Sequence, residues 1–170
     1  MLEFVPIATV DPAAVEALLD RAFGRDRHSK TAYRLREGVA PVAELSFAAI
    51  ENGALIGTIQ CWPVQIIGDY GATHALVLVG PVAVEPSRQG GGLGKELMHQ
   101  ALDAAVELDL DSAMMLVGDP DYYSRFWGFS ADATGGWRLP GPVERHRLLA
   151  RGRDVPAIAG TVGPRVAVAA

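Results

Sequence analysis

The sequence holds one cysteine, Cys61, in 170 residues. That excludes both an in-chain disulfide and a thiolate metal site. Its four histidines are dispersed and lack cysteine partners at ligand spacing, so no metal is expected. Positive charge is also short, with 15 Lys and Arg against 20 Asp and Glu. A nucleic-acid partner favours the opposite balance and is not expected. The one local basic cluster, Arg138, Arg145, His146, Arg147, Arg151 and Arg153, reads as a solvated strand or turn surface. No apolar run approaches the ~18 residues of a membrane span, the longest nearly unbroken one being Ala75 to Val84. Met1-Leu2-Glu3-Phe4 lacks the basic start of a secretory signal. At 49% hydrophobic and 21% charged, the composition excludes disorder as the main state. A soluble, cytoplasmic, single-domain protein with no membrane partner is expected.

What is present reads as a mixed α/β chain. Leu2 to Ile7 has the pattern of a strand. Asp11 and Pro12 then open a helix whose Val15, Leu18, Leu19 and Ala22 share one face, and Gly24 stops it. Gly24 to His28 is polar and reads as an exposed loop. Ser29 is placed to cap a second helix through Glu37. Leu45 to Glu51 and Ala54 to Ile67 read as strands joined by Asn52-Gly53, the strongest short hairpin signal. Gly68 to Gly71 turns the chain into a long strand, His74 to Val84, which Gly80-Pro81 interrupts. Proline donates no ladder hydrogen bond, so a bulge or a local parting of strands is expected there. A helix from Leu93 to Leu108, a buried strand from Ser112 to Val117 and a helix opened by Asp119-Pro120 and stopped by Gly128 follow. Two more strands are expected between Phe129 and Leu149. The order is βααβββαβαββ, and the Gly- and Pro-bearing tail from Val155 has no assignment.

The informative segment is Val82-Ala83-Val84-Glu85-Pro86-Ser87-Arg88-Gln89-Gly90-Gly91-Gly92-Leu93-Gly94-Lys95, a strand, a glycine turn and a helix start. N–H groups at a helix N-terminus have no internal partner, and the dipole there favours an anion. The P-loop pattern fails, because Gln89 stands where its first glycine belongs and Glu96 follows the lysine. The dinucleotide fingerprint fails as well, since Lys95 stands where its third glycine would fall. A plain tight turn before a helix is the bland alternative.

The spacing Gln/Arg-x-x-Gly-x-Gly/Ala, here Gln89 to Gly94, resembles the pyrophosphate loop of the GNAT N-acetyltransferase superfamily. Gly80 to Val84 resembles that family's fourth strand, and Gly118-Asp119-Pro120-Asp121-Tyr122-Tyr123 through Phe129 is similar to a segment of a bacterial GNAT subgroup. The resemblance implies a GNAT fold: a mixed, mostly antiparallel sheet with a central splayed strand pair and about four helices. It implies an N-acetyltransferase domain over residues 1–150, with 151–170 as a C-terminal tail. It also implies acetyl-CoA as co-substrate. Val82, Ala83 and Val84 would pair with the pantetheine arm. Gln89, Gly90, Gly91, Gly92, Leu93 and Gly94 would give N–H groups to the pyrophosphate, with Lys95 near and Arg88 adding charge to a phosphate.

Acyl transfer to an amine needs a polarised thioester carbonyl and a proton for the departing thiolate. The family commonly places a tyrosine on the helix before the Gly-Phe pair. Tyr122 and Tyr123 stand there, about 100° apart if helical, and Tyr123 is favoured. The family spacing is four residues before the glycine, whereas Tyr123 stands five before Gly128. No base declares itself among His74, Glu44, Glu51 and Asp119. His28 and Tyr33 would line the acceptor site by resemblance. The reading is an acetyl-CoA-dependent N-acetyltransferase acting on a small-molecule or peptide amine. The acidic balance leans towards a cationic one. A catalytically inactive acyl-CoA sensor of the same fold and a different nucleotide-binding α/β protein are the rivals. Homodimerisation through the tail is a further use the family suggests.

Overall fold

A computed structural model describes residues 1–166. The elements run β1 (Leu2–Pro6), α1 (Pro12–Phe23), α2 (Thr31–Arg34), β2 (Phe47–Glu51), β3 (Ala54–Gly68), β4 (Thr73–Val84) and α3 (Leu93–Glu107). There follow β5 (Met114–Val117), α4 (Pro120–Trp127), β6 (Trp137–Arg138), β7 (Leu148–Arg151) and β8 (Gly160–Pro164). The ladders give the strand order β1-β2-β3-β4-β5-β7, with β8 on β3 and β6 on β8. Among the described residues this is a mixed, mostly antiparallel sheet with four α-helices, as the resemblance implies. Two compact units divide the chain, and β3 and β4 each contribute to both.

One unit comprises Met1–His28, Pro41–Cys61 and Gly80–Asp109. In it α1 starts because the Asp11 carboxylate accepts from the Ala13 N–H at 3.0 Å and Pro12 occupies the first turn. Such a cap contributes ~1 kcal/mol. Its Val15, Leu18 and Leu19 are buried against Ile7, Ala48 and Ala83. Asn52 and Gly53 both have positive φ, 52° and 80°, as a tight hairpin turn of matching twist requires. The register of β2 on β3 shifts between Ala49 and Ile50. Helix α3 buries Leu93, Leu97, Met98 and Ala101. At Gly57 on β3 a Cβ would stand 3.0 Å from Leu97 Cδ1 and 3.1 Å from Leu93 Cδ2, so the bare glycine lets α3 settle onto the strand.

The polar stretch after Gly24 is exposed at Arg25, Asp26 and His28, as expected, but not at Arg27. It forms a 3-10 turn over Arg25–Ser29 in which Arg27 is 1% exposed. Glu16 and Asp20, one turn apart on α1, meet its guanidinium at 2.5 and 3.1 Å. A buried guanidinium is tolerable only with such partners. Downstream, α2 is shorter than the Ser29–Glu37 helix expected. Its N-cap is Lys30, which has no oxygen to accept from the first turn.

The second unit comprises Ser29–Ala40, Trp62–Val79 and the chain from Leu110 onward. Trp62, Ile66, Leu76, Met115, Trp137 and Leu148 belong to its core. Strand β4 pairs in parallel with β5 at Val77↔Met114 and Leu78↔Met115, and β5 pairs antiparallel with β7. The Gly80-Pro81 peptide, which is cis, follows that short ladder, and Gly80 has φ 113°. Between Phe129 and Leu149 the expected pair of strands is much reduced, for β6 has two residues and a 3-10 turn over Arg145–Arg147 leads into β7. Arg145 holds that stretch in place by donating to the carbonyls of Trp137 (2.6 Å), Thr134 (3.1 Å) and Gly135 (2.5 Å).

The basic cluster is thus partly a set of internal ties. Arg138 pairs with Asp69, and Arg151 donates to the Trp127 carbonyl at 3.0 Å. The tail gains an assignment too. Residues 160–164 pair antiparallel with Val64–Gly68 of β3 and in parallel with β6, and Trp137 Nε1 donates to the Pro156 carbonyl at 3.1 Å. The last part of that tail, 167–170, lies outside the described residues. Among the described residues no helix is long and apolar enough to cross a membrane.

Candidate functional site

Val82, Ala83, Val84 and the whole stretch from Arg88 to Lys95 lie in the first unit. Ala83 points into its core, while Val82 and Val84 are half-buried. Beyond β4 the Glu85 N–H donates to the Ile56 carbonyl at 2.8 Å, which keeps the chain on β3. Pro86–Arg88 then forms one 3-10 turn, and Gln89 Nε2 reaches back to the Val84 carbonyl at 3.4 Å. Gly90 and Gly92 take φ of +87° and +84°, and a Cβ at either would meet nothing within 4 Å. The space in front of this loop is open, and the loop itself is exposed.

Gly92 is the N-cap of α3 and has no side chain with which to cap it. The first N–H groups of the helix, from Leu93 onward, lack a carbonyl four residues back inside it. With the dipole, they favour an anion at this end of the helix. Gly94 differs from its neighbours. It has helical φ, and a Cβ there would touch Val82 Cγ1 at 3.9 Å and Val84 Cγ2 at 4.0 Å, which is ordinary contact. Gly94→Ala is therefore expected to stabilise the protein by up to ~1 kcal/mol through helix propensity. Calorimetry should read this as a Tm raised by roughly 2–4 °C.

Tyr122 and Tyr123 lie in the second unit, on α4. The helix starts where the Asp119 carboxylate accepts from the Asp121 N–H at 3.0 Å, and ends at Gly128 with φ 73°. Ser124 Oγ donates to the Phe129 carbonyl at 2.6 Å, fixing the helix end. The Tyr123 ring lies on the bare α-carbon of Gly118, where a Cβ would run into its Cε2 and stand 2.8 Å from Cδ2. Phe129 meets it edge-on at 6.4 Å and Tyr122 at 4.8 Å between centroids. Burial raises the pKa of the Tyr123 phenol, Tyr122 and Asp119 add to the rise, and Arg147 opposes it. Tyr123 therefore holds its proton throughout the neutral range, as a proton donor must.

Residues 13–129 match the Acetyltransferase (GNAT) family. The chain belongs to that family. An Escherichia coli strain K12 relative, described as the uncharacterized N-acetyltransferase YhbS, is 33% identical over 144 residues, which is 82% of this chain and 83% of the relative. A crystal structure of Escherichia coli YhbS in complex with CoA superposes with a TM-score of 0.70 at 28% identity, covering 97% of this chain and 89% of that one. A GNAT acetyltransferase from Brucella melitensis, solved with acetyl-CoA, shares the fold with a TM-score of 0.68 at 24% identity, covering 97% and 96%.

Several residues that could serve a GNAT enzyme as a base are otherwise engaged. Asp119 caps α4. Glu51 is paired with Arg88, whose hydrogen bond holds its carboxyl below the usual carboxylate range. Glu44 sits exposed on a 3-10 turn, and His74 is half-buried on β4. His28 Nε2 lies 3.0 Å from Arg27 Nη1. The Tyr33 ring carries the Arg36 guanidinium at 3.9 Å, with the Trp62 ring 4.5 Å from the same group. Cys61 is buried and its thiol is pushed up to about 12, which makes it inert.

Sequence reasoning missed three features around these pieces: the partner of Arg88, the Arg21–Glu85 pair and the dependence of Tyr123 on Gly118. Only the third had a signal. A glycine just after a buried strand and before a capped helix marks a close approach, although not what approaches.

Proposed function

We propose that this protein transfers an acetyl group from acetyl-CoA to an amine by direct attack of the amine on the thioester. The observation that carries this reading is the uncapped start of α3. Gly90 and Gly92 there leave open the space that a pyrophosphate would fill. The chain's place in the GNAT family and a relative solved with CoA support the same ligand.

In this reading the N–H groups of Gln89 to Gly94 bind the pyrophosphate, with Lys95 beside them. The backbone of Val82, Ala83 and Val84 pairs with the pantetheine arm as an added strand would. The Val82 N–H polarises the thioester carbonyl. As the C–N bond forms and the C–S bond breaks, Tyr123 gives its proton to the departing thiolate. The amine, entering neutral, loses its proton to water. The acceptor is a small-molecule or peptide amine.

Thermal unfolding with acetyl-CoA, CoA, ATP and NAD in turn tests the binding half. A ligand at a hundred times its Kd stabilises the native state by ~2.7 kcal/mol. For a chain of this size that is a Tm rise of roughly 5–10 °C. The rise is expected with acetyl-CoA and CoA only. A rise with ATP or NAD alone would reject the reading. Binding of acetyl-CoA without turnover on any amine would favour an acyl-CoA sensor.

A further inference from the structure

The turn that leads into the glycine run is bolted at both ends. Glu85 and Arg88 flank it, and the Arg88 N–H donates to the Glu85 carbonyl at 2.8 Å. The Glu85 carboxylate takes three hydrogen bonds from Arg21 of α1, at 3.2 and 3.1 Å from Nε and 2.8 Å from Nη2. Arg88 Nη1 stands 2.5 Å from Oε1 of Glu51, the last residue of β2. The turn is thereby tied to α1, β2 and β3, the last through the Glu85 N–H. Past Arg88 the surroundings change at once, because Cβ atoms at Gly90 and Gly92 would meet nothing. A fixed base carries a permissive loop.

This arrangement bears on what Arg88 does. A guanidinium already matched to a carboxylate presents little net charge to an approaching phosphate. A loop whose base is held in place, by contrast, loses less freedom when a ligand orders it. We propose that Arg88 is a positioning residue for acetyl-CoA, acting through Glu51 to hold the base of the glycine run, rather than a ligand of a CoA phosphate. The inference rests on the acetyl-CoA reading above.

Calorimetric titration with CoA and with dephospho-CoA, which lacks the 3′-phosphate, separates the cases. Arg88→Gln and Glu51→Gln should each weaken CoA about three-fold, the scale of one exposed ion pair. The loss should be the same for dephospho-CoA. The double variant should be no weaker than either single, since both remove one interaction. Arg88→Lys, which keeps the pair, should retain wild-type affinity, and in all variants KM for acetyl-CoA should follow Kd with kcat unchanged. Tighter binding in Glu51→Gln would overturn the inference, because it would mean that Glu51 withholds Arg88 from a phosphate. A loss in Arg88→Gln confined to CoA, or wild-type binding in both variants, would overturn it equally. Wild-type protein that binds neither ligand would reject the acetyl-CoA reading and this inference with it.

Discussion

Replacing Tyr123 by phenylalanine should lower kcat about 100-fold or more, the scale of a lost general acid, while leaving the Kd for acetyl-CoA unchanged. The substitution removes one oxygen and keeps the ring that Gly118 and Phe129 pack against, so stability should barely move. A thiol near pKa 8.5 is protonated at neutral pH, so the departing thiolate takes up a proton, and the half-buried phenol holds one to give. The phenol's pKa lies above the ordinary value of 10.0, so the donor stays protonated past the range in which most tyrosines titrate. Activity that depends on it should persist as pH rises towards 10 and fall only beyond. That alkaline limb should vanish in Tyr123→Phe. Steady-state kinetics across pH with one accepted amine measure both effects. An equal loss in Tyr122→Phe, with Tyr123→Phe unaffected, would move the role to the neighbouring ring.

Gly118→Ala should be nearly as damaging, by a different route. The new methyl group would collide with the Tyr123 ring and crowd Leu116 Cδ1, 3.3 Å away, so the ring or the start of α4 must move. Overpacking of this kind costs ~1–3 kcal/mol. At this chain length the Tm should fall by roughly 2–12 °C. Because the ring that moves is the one assigned the proton, kcat should fall well beyond what the remaining folded fraction accounts for. Calorimetry and rate measurements on the same sample separate the two losses. A variant that loses stability but keeps full kcat would show that the ring position does not matter to the reaction.

Much of this architecture was legible because its determinants act over three or four residues. Asp11 with Pro12, Asp119 with Pro120, Gly128 and Asn52-Gly53 each set a helix end or a turn from their own chemistry, and each stands where the pattern put it. The glycine run before α3 was legible for the same reason. What the sequence hid depends on partners that the fold supplies. Arg27 looked exposed until α1 offered Glu16 and Asp20 along one side. The hold of Glu51 on Arg88 spans two strands and a turn, and no spacing rule announces it. The helix expected from Ser29 failed through a one-residue shift that left Lys30 at the cap. Between Phe129 and Leu149, apolar and polar residues suggested strands, but the carbonyls of residues 134, 135 and 137 found Arg145 instead of a ladder.

Strand β8 has a consequence for how the chain is made. It closes onto residues 64–68, which emerge from the ribosome long before residues 160–164 exist. Until then that flank of β3 presents unpaired N–H and C=O groups, the template on which foreign strands add. Pairings so distant along a chain also form late, because the loop must close before the contact repays it. During synthesis, this nascent chain therefore carries an open sheet flank for most of its length. Its exposure to misassociation ends only with the arrival of the segment whose composition looked least structured.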